Sequence, residues 1–254
     1  MINVTVSSKE LQTFISSILN VDRSGVSLKF FPDFVEALVL SEDNSSVILY
    51  TKLNILEISG METDELVIHV KDLTKMQKLL DMNNGETFTF SIRDNHIYFE
   101  NDMVKGAKFM LADRPSKTVN ARVNVQWFNS FEKTSRMKIS KPVVKSIIQC
   151  SSFTSDDANK VYVYQDGTKV VAEINDRTKS NLDNMSIYIG DIEDGQMEGK
   201  VILNVSTLSR LFLADEMTLE TSFIGQGVSR TEIVFLSFTN DNVSVRYLLN
   251  TLRS

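Results

Sequence analysis

Four times along the chain, a short run of strand-forming residues leads directly into a segment of helical period. "INVTV" precedes "SSKELQTFISSIL", "ELVIH" precedes "VKDLTKMQKLLD", "RMKI" precedes "SKPVVKSIIQC", and "KVILN" precedes "VSTLSRLFLAD". The four segments align on Leu11, Leu73, Val144 and Leu208. An apolar residue stands three positions later in each (Phe14, Met76, Ile147, Leu211), and another five positions earlier (Val6, Ile68, Ile139, Leu203). Positions three apart share one face of a helix. The anchors lie roughly 60–70 residues apart, the length of a supersecondary repeat. The chain reads as four copies of one strand–helix–strands module.

Between the helical segments the text is strand-like. "VSLKFF", "FVEALVL", "TFTFSI", "HIYFEN", "AKFMLAD" and "TEIVFLSFT" are rich in Val, Ile, Phe and Tyr, and several alternate with period two. Turn text such as "MNNGE", "RDN" and Asp166-Gly167 separates them. The expected fold class is α+β. A length of 254 residues accommodates two domains. The segment "RPSKTVNARVNVQWFNSFEKTS" breaks the repeat and carries the single tryptophan, so it reads as a connector. The expected organisation is therefore residues 1–113 and 136–254 as two similar domains of two modules each, joined through 114–135.

Chemistry is sparse. Cys150 stands alone in apolar text, which suits a buried thiol. His69 and His96 offer no metal-ligand spacing, and no cofactor or metal is expected. Asp156 and Asp157 form one acidic pair in Ser-rich loop text, without a second cluster. Phosphate-loop, dinucleotide-binding, nucleophile-elbow and zinc-protease motifs are all missing, so no catalytic residue is assigned and an enzyme is not expected. No apolar run approaches the roughly 20 residues of a membrane helix. The opening "MINVTVSSKE" has neither the basic start nor the apolar core of a secretion signal, which points to an intracellular protein.

Charge is distributed unevenly. The formal net charge is −6, yet the helix faces opposite the apolar anchors are neutral to basic. They carry Lys9 in the first segment, Lys71, Lys75 and Lys78 in the second, and Arg210 in the fourth; Lys141 and Lys145 flank that face in the third. Glu10 and Asp72 stand near helix starts, where they favour the dipole. Four basic faces on equivalent helices would attract a phosphate backbone without reading bases.

These features together resemble the DNA sliding clamps of the trimeric, proliferating-cell-antigen and phage type. The resemblance is carried by "VKDLTKMQKLLD", "ETFTFSIRDNHIYFEN", "AKFMLAD", "KVYVYQDGTKVVAEIND" and the terminal "VSVRYLLNTL", and spans essentially the whole chain. It implies a closed homotrimeric ring, helices inside and sheets outside, that encircles duplex DNA, tethers a DNA polymerase and needs an ATP-dependent clamp loader. Lys9, Lys71, Lys75, Lys78, Lys141, Lys145 and Arg210 would face the phosphates. Ala107, Lys108, Phe109, Met110 and Leu111 would pair with Met185, Ser186, Ile187, Tyr188 and Ile189 of the next subunit. Partner peptides would dock against Phe34, Val123, Val125, Trp127 and Leu249. A phage origin, and hence the host cytoplasm, fits the composition. The rival reading is a structural β-rich assembly protein of a phage particle, which would share the strand edges but has no reason to align basic helices.

Overall fold

The computed structural model describes residues 1–41, 46–115, 123–154, 159–174, 184–225 and 231–251. Asp156 and Asp157 lie outside these residues, as does the stretch 116–122 of the connector. The chain divides into two compact units. The first comprises Met1–Asn44, Ile48–Val125 and Thr239–Val245; the second comprises Ser45–Val47, Gln126–Phe238 and Arg246–Ser254.

The first unit begins with β1 (Ile2–Ser7) running straight into α1 (Ser8–Leu19). Then follow β2 (Val26–Phe30), β3 (Phe34–Leu40), β4 (Val47–Asn54, its first residue assigned to the second unit), β5 (Glu57–Ser59) and β6 (Leu66–Val70). Helix α2 (Leu73–Asp81) and strands β7 (Thr87–Arg93), β8 (His96–Phe99) and β9 (Ala107–Met110) complete it. The β7–β8 hairpin turns on Asp94 and Asn95, both at positive φ (48° and 59°). Two adjacent left-handed residues match the twist of the flanking strands, and Asn and Asp tolerate that conformation best after glycine.

Pairing in this unit exchanges the modules. β1, from the first module, pairs antiparallel with β7 of the second, which continues into β8 and β9. β6, from the second module, pairs with β2 of the first, which continues into β3 and β4. Each strand that leads into a helix therefore completes the other module's sheet. The two helices pack on one another, and Leu11, Phe14, Leu73 and Met76 meet Val6, Leu28, Phe30 and Phe90 in one core. Phe88 stacks on Phe99 with ring centroids 4.5 Å apart.

The second unit repeats the plan. It contains α3 (Val125–Asn129), whose first residue falls in the other unit, then β10 (Lys133–Ser140), α4 (Lys141–Thr154), β11 (Lys160–Asp166), β12 (Lys169–Ile174) and β13 (Met185–Gly195). β14 (Val201–Asn204), α5 (Val205–Leu211), β15 (Glu216–Ile224) and β16 (Thr231–Thr239) follow; β17 (Val243–Asn250) is divided between the units after Val245. Here β10 pairs with β15, and β14 pairs with β11, so the exchange recurs. The two-residue turn between β11 and β12 is Gly167-Thr168, with Gly167 at φ 65° and Asp166 paired to Lys169; the turn sits one residue later than the sequence suggests. Helices α4 and α5 pack together.

Candidate nucleic-acid interface

Helix α1 buries Leu11, Phe14, Ile15 and Ile18 and leaves Lys9 and Gln12 exposed. Its one acid is withdrawn from the surface. Glu10 is buried, and its carboxylate accepts hydrogen bonds from the Ser7 hydroxyl and, at 3.3 Å, from Asn240 Nδ2.

Helix α2 buries Leu73, Met76 and Leu80 and exposes Lys75 and Lys78. Asp72 caps it: Oδ1 accepts the Thr74 backbone N–H at 3.0 Å and also the Thr74 hydroxyl. The bond from the hydroxyl holds this carboxyl below the ordinary aspartate range, helped by the backbone bond and by the charges of Lys75 and Lys78. Lys71 is exposed but precedes the cap, so it stands beside the helix rather than on it.

Helix α4 buries Val144, Ile147, Cys150 and Thr154 and exposes Lys141, Lys145, Ser146 and Gln149. It runs to Thr154, four residues past the expected segment, and Pro142 is tolerated because it lies in the first turn, where a backbone N–H has no helical partner. Helix α5 is short. Asn204 caps it by accepting the Thr207 N–H at 2.8 Å, Leu208 and Leu211 are buried, and Arg210 is exposed. Neither α4 nor α5 contains an acidic residue.

Four cations on strands or beside them are neutralised, Lys29 by Glu65 at 2.8 Å, Arg136 by Glu193 at 3.9 Å, Lys138 by Glu216 at 3.0 Å and Lys200 by Glu173 at 3.2 Å, whereas the strand cations Lys52, Arg93, Lys108, Lys133, Lys160, Lys169 and Arg246 are in no ion pair among the described residues. Among the described residues, Lys9, Lys71, Lys75, Lys78, Lys141, Lys145 and Arg210 have no ion-pair partner. Exposed cations outnumber exposed acids on these helices, so their surfaces favour anions on a chain of negative net charge. Arg23, exposed in the turn after α1, adds a cation that helical periodicity could not flag.

Two of the expected contact strands have open edges. Among the described residues β9 is bonded only to β8, with Lys108 and Met110 exposed and Ala107 and Phe109 half-buried. Among the described residues the first part of β13, residues 185–189, is bonded only to β12, because its pairing with β10 begins at Ile192.

Of the expected peptide-contact residues, Phe34, Val123 and Val125 belong to the first unit and Trp127 and Leu249 to the second. Phe34 stacks on Phe31 at 4.5 Å, with the Lys52 ammonium 3.9 Å from its ring centre. Val123, Val125 and Trp127 are half-buried, whereas Leu249 is buried. The sequence reading did not place a helix in the connector. Phe128 of α3 is fully buried, edge-on to Phe235 at 5.5 Å, and Trp127 is edge-on to Phe131 at 4.8 Å.

No group of three or more potential metal-ligating side chains occurs among the described residues. His69 Nδ1 bonds the Ser27 hydroxyl across two strands at 2.8 Å, and Cys150 is buried. Among the described residues no helix is long and apolar enough to cross a membrane.

The exchanged strands, paired helices and two like units define a clamp-type fold. The chain has the fold of the PCNA-type sliding clamps. It superposes on PCNA from A. fulgidus, in a structure with the C-terminal region of FEN-1 bound, with a TM-score of 0.74 and 14% identity over 100% of this chain and 99% of that one. PCNA from Entamoeba histolytica gives 0.73 at 11% identity, covering 99% of both chains. PCNA from Thermococcus kodakaraensis gives 0.73 at 14%, covering 99% of this chain and 100% of that one. No family model and no curated protein matches the sequence.

Proposed function

We propose that this protein is a DNA sliding clamp: a non-catalytic homotrimeric ring that encircles duplex DNA and tethers a DNA polymerase. The observation that carries the reading is the fold shared with PCNA clamps together with the exposed cations Lys9, Lys75, Lys78, Lys141, Lys145 and Arg210 on the helices of both units. None of these helix cations is in an ion pair among the described residues. In the ring the helix faces of both units turn toward the hole. There Lys9, Lys71, Lys75, Lys78, Lys141, Lys145 and Arg210 meet phosphates through long, flexible side chains or through water. Contacts of that kind are individually weak and independent of sequence, which permits sliding. Topology, rather than affinity, holds the DNA.

An ATP-driven loader opens the ring, since this chain carries no nucleotide-binding motif. The half-buried residues Phe34, Val123, Val125 and Trp127 and the buried Leu249 are the proposed contacts for partner peptides.

Light scattering across a range of concentrations tests the assembly. The expected limit is three times the 28.7 kDa chain mass. A mass of one chain at every concentration rejects the ring. The companion test is retention on nicked circular duplex in high salt, with release after the same DNA is linearised. Equal retention on both forms would reject topological holding.

A further inference from the structure

The sheet of β1, β7, β8 and β9 has a second face, turned away from α1 and α2. Phe90 joins the core beneath the helices, and alternation along β7 puts Thr89, Ser91 and Arg93 on the opposite side. Ser91, Tyr98 and Lys108 form one cross-strand row there. A cavity of about 520 Å³ opens over this row, lined by Thr89, Ser91, Arg93, Tyr98, Glu100 and Lys108 among others. We propose that the cavity binds a small phosphate monoester of nucleotide size. Arg93, Lys108 and the Tyr98 hydroxyl hold the phosphate, and Glu100 holds the hydroxyl- or amino-bearing body.

The polar groups that matter are uncommitted. Among the described residues Arg93, Lys108 and Glu100 are in no ion pair, and the Tyr98 hydroxyl has no hydrogen-bond partner. Their neighbours are tied to one another instead. The Ser91 hydroxyl donates to Asn3 Oδ1 at 2.6 Å, and the Thr89 and Thr5 hydroxyls bond at 3.0 Å. Ligand sites characteristically place a few convergent polar groups around a hollow of roughly 300–1,000 Å³, and this one has that form.

Their placement selects the ligand. The Arg93 guanidinium lies 4.3 Å from the Tyr98 ring centre, and Lys108 stands directly opposite Tyr98 in the β8–β9 ladder. Two cations therefore flank one phenol. A phosphate monoester carries a charge of about −1.5 to −2 near neutral pH and three acceptor oxygens, which match two cations and a hydroxyl donor. A carboxylate, with one charge and two oxygens, leaves one cation unmatched.

Glu100 sets the other end. Arg93 pairs with His96, and Glu100 stands four residues beyond His96 along the neighbouring chain segment. At about 3.3 Å per residue the two positions are separated by roughly 13 Å, too far for one phosphate to reach both. A carboxylate accepts hydrogen bonds and repels anions, so the far end of the ligand carries hydroxyl or amino donors. A nucleoside monophosphate has both ends. The cavity lies wholly within the first unit and does not depend on ring closure. Pairing at the β9 edge engages peptide groups and leaves the Lys108 side chain on the sheet face.

Titration calorimetry of adenosine monophosphate into the full chain, at low salt and without metal, tests the proposal. Saturable binding of one nucleotide per chain is expected, with adenosine and inorganic phosphate each weaker by at least about tenfold. Arg93→Gln should weaken nucleotide binding by about tenfold or more, and Tyr98→Phe by severalfold. Glu100→Gln should weaken the nucleotide but not inorganic phosphate. Lys75→Gln combined with Lys78→Gln should leave binding unchanged, because those lysines stand on the helices. Thermal melting verifies that each variant is folded; Tyr98→Phe keeps its ring and carries the test alone if Arg93→Gln does not fold. Absence of saturable binding overturns the proposal. So does binding that the helix double variant loses and the Arg93 and Tyr98 variants keep. Inorganic phosphate binding as tightly as the nucleotide overturns the ligand class and the role of Glu100. Each outcome is read whatever the solution mass, so the ring is tested separately.

Discussion

The ammonium of Lys133 lies 2.9 Å from the centre of the Phe235 ring and has no hydrogen-bond partner among the described residues. Burial and the neighbouring Arg246 pull its pKa down to about 7, opposed only by the charge of Glu220. Between about pH 7 and the ordinary 10.5 the unfolded chain therefore binds the proton that the folded chain releases. Stability attributable to this group rises with pH across that window and is lowest below it. Phe235's ring face offsets part of the cost of the charged form. Lys133→Met is expected to raise the melting temperature more at pH 6 than at pH 9. Melting curves of both proteins against pH check this, and parallel curves would contradict it.

Phe128 anchors the connector helix to the second unit through Phe235, while Arg246 Nη1 holds Asn129 Oδ1 at 2.9 Å. Phe128→Ala removes a fully buried ring and should cost about 3–5 kcal/mol. Trp127, the single tryptophan, reports the change, so urea unfolding followed by its fluorescence measures the loss. Trp127→Phe, which keeps an apolar ring at a half-buried position, should cost under about 1.5 kcal/mol.

Asp72→Ala and Asn204→Ala each delete a cap whose side chain accepts an N–H of the first helical turn. Each should lower stability by about 1 kcal/mol. Because the Asp72 carboxyl is held below its ordinary range, its contribution is present at neutral pH and lost as the pH falls through that lowered value. The Asp72 variant should therefore converge with wild type in acid, which chemical denaturation at two pH values would show.

Neutralising the α2 surface with Lys71→Gln, Lys75→Gln and Lys78→Gln should weaken duplex binding while leaving the solution mass unchanged. Each lost phosphate contact flattens the dependence of log K on log salt by about 0.9, so the triple variant should flatten it by up to about 3. Binding titrations at several salt concentrations check this, and an unaltered slope would remove these lysines from the interface.

Much of this architecture was legible in one dimension. Val6, Leu11 and Phe14 recur as Ile68, Leu73 and Met76, then as Ile139, Val144 and Ile147, then as Leu203, Leu208 and Leu211; all twelve are buried. Helical periodicity also separated the exposed Lys75, Lys78, Lys145 and Arg210 from those cores, because one helix face must be apolar to pack and the other is free to carry charge. Helix ends were less legible. α4 extends to Thr154 and the cap at Asp72 leaves Lys71 outside α2, because termini depend on local hydrogen bonds more than on period. The short helix of the connector was missed because five residues carry too little periodicity to register.

The sequence by itself determined four alternations of strand and helix, the apolar face of each helix, and the side on which the lysines stand, since these follow from the local spacing of side chains on a backbone of known period. Tertiary structure alone decided the partners. β1 completes the sheet of β7–β9, β6 that of β2–β4, and the same exchange recurs at β10 and β14. A strand's alternation states which face it buries but says nothing of which neighbour its peptide groups will bond. That choice is made when two modules close over a shared core, which neither can bury alone.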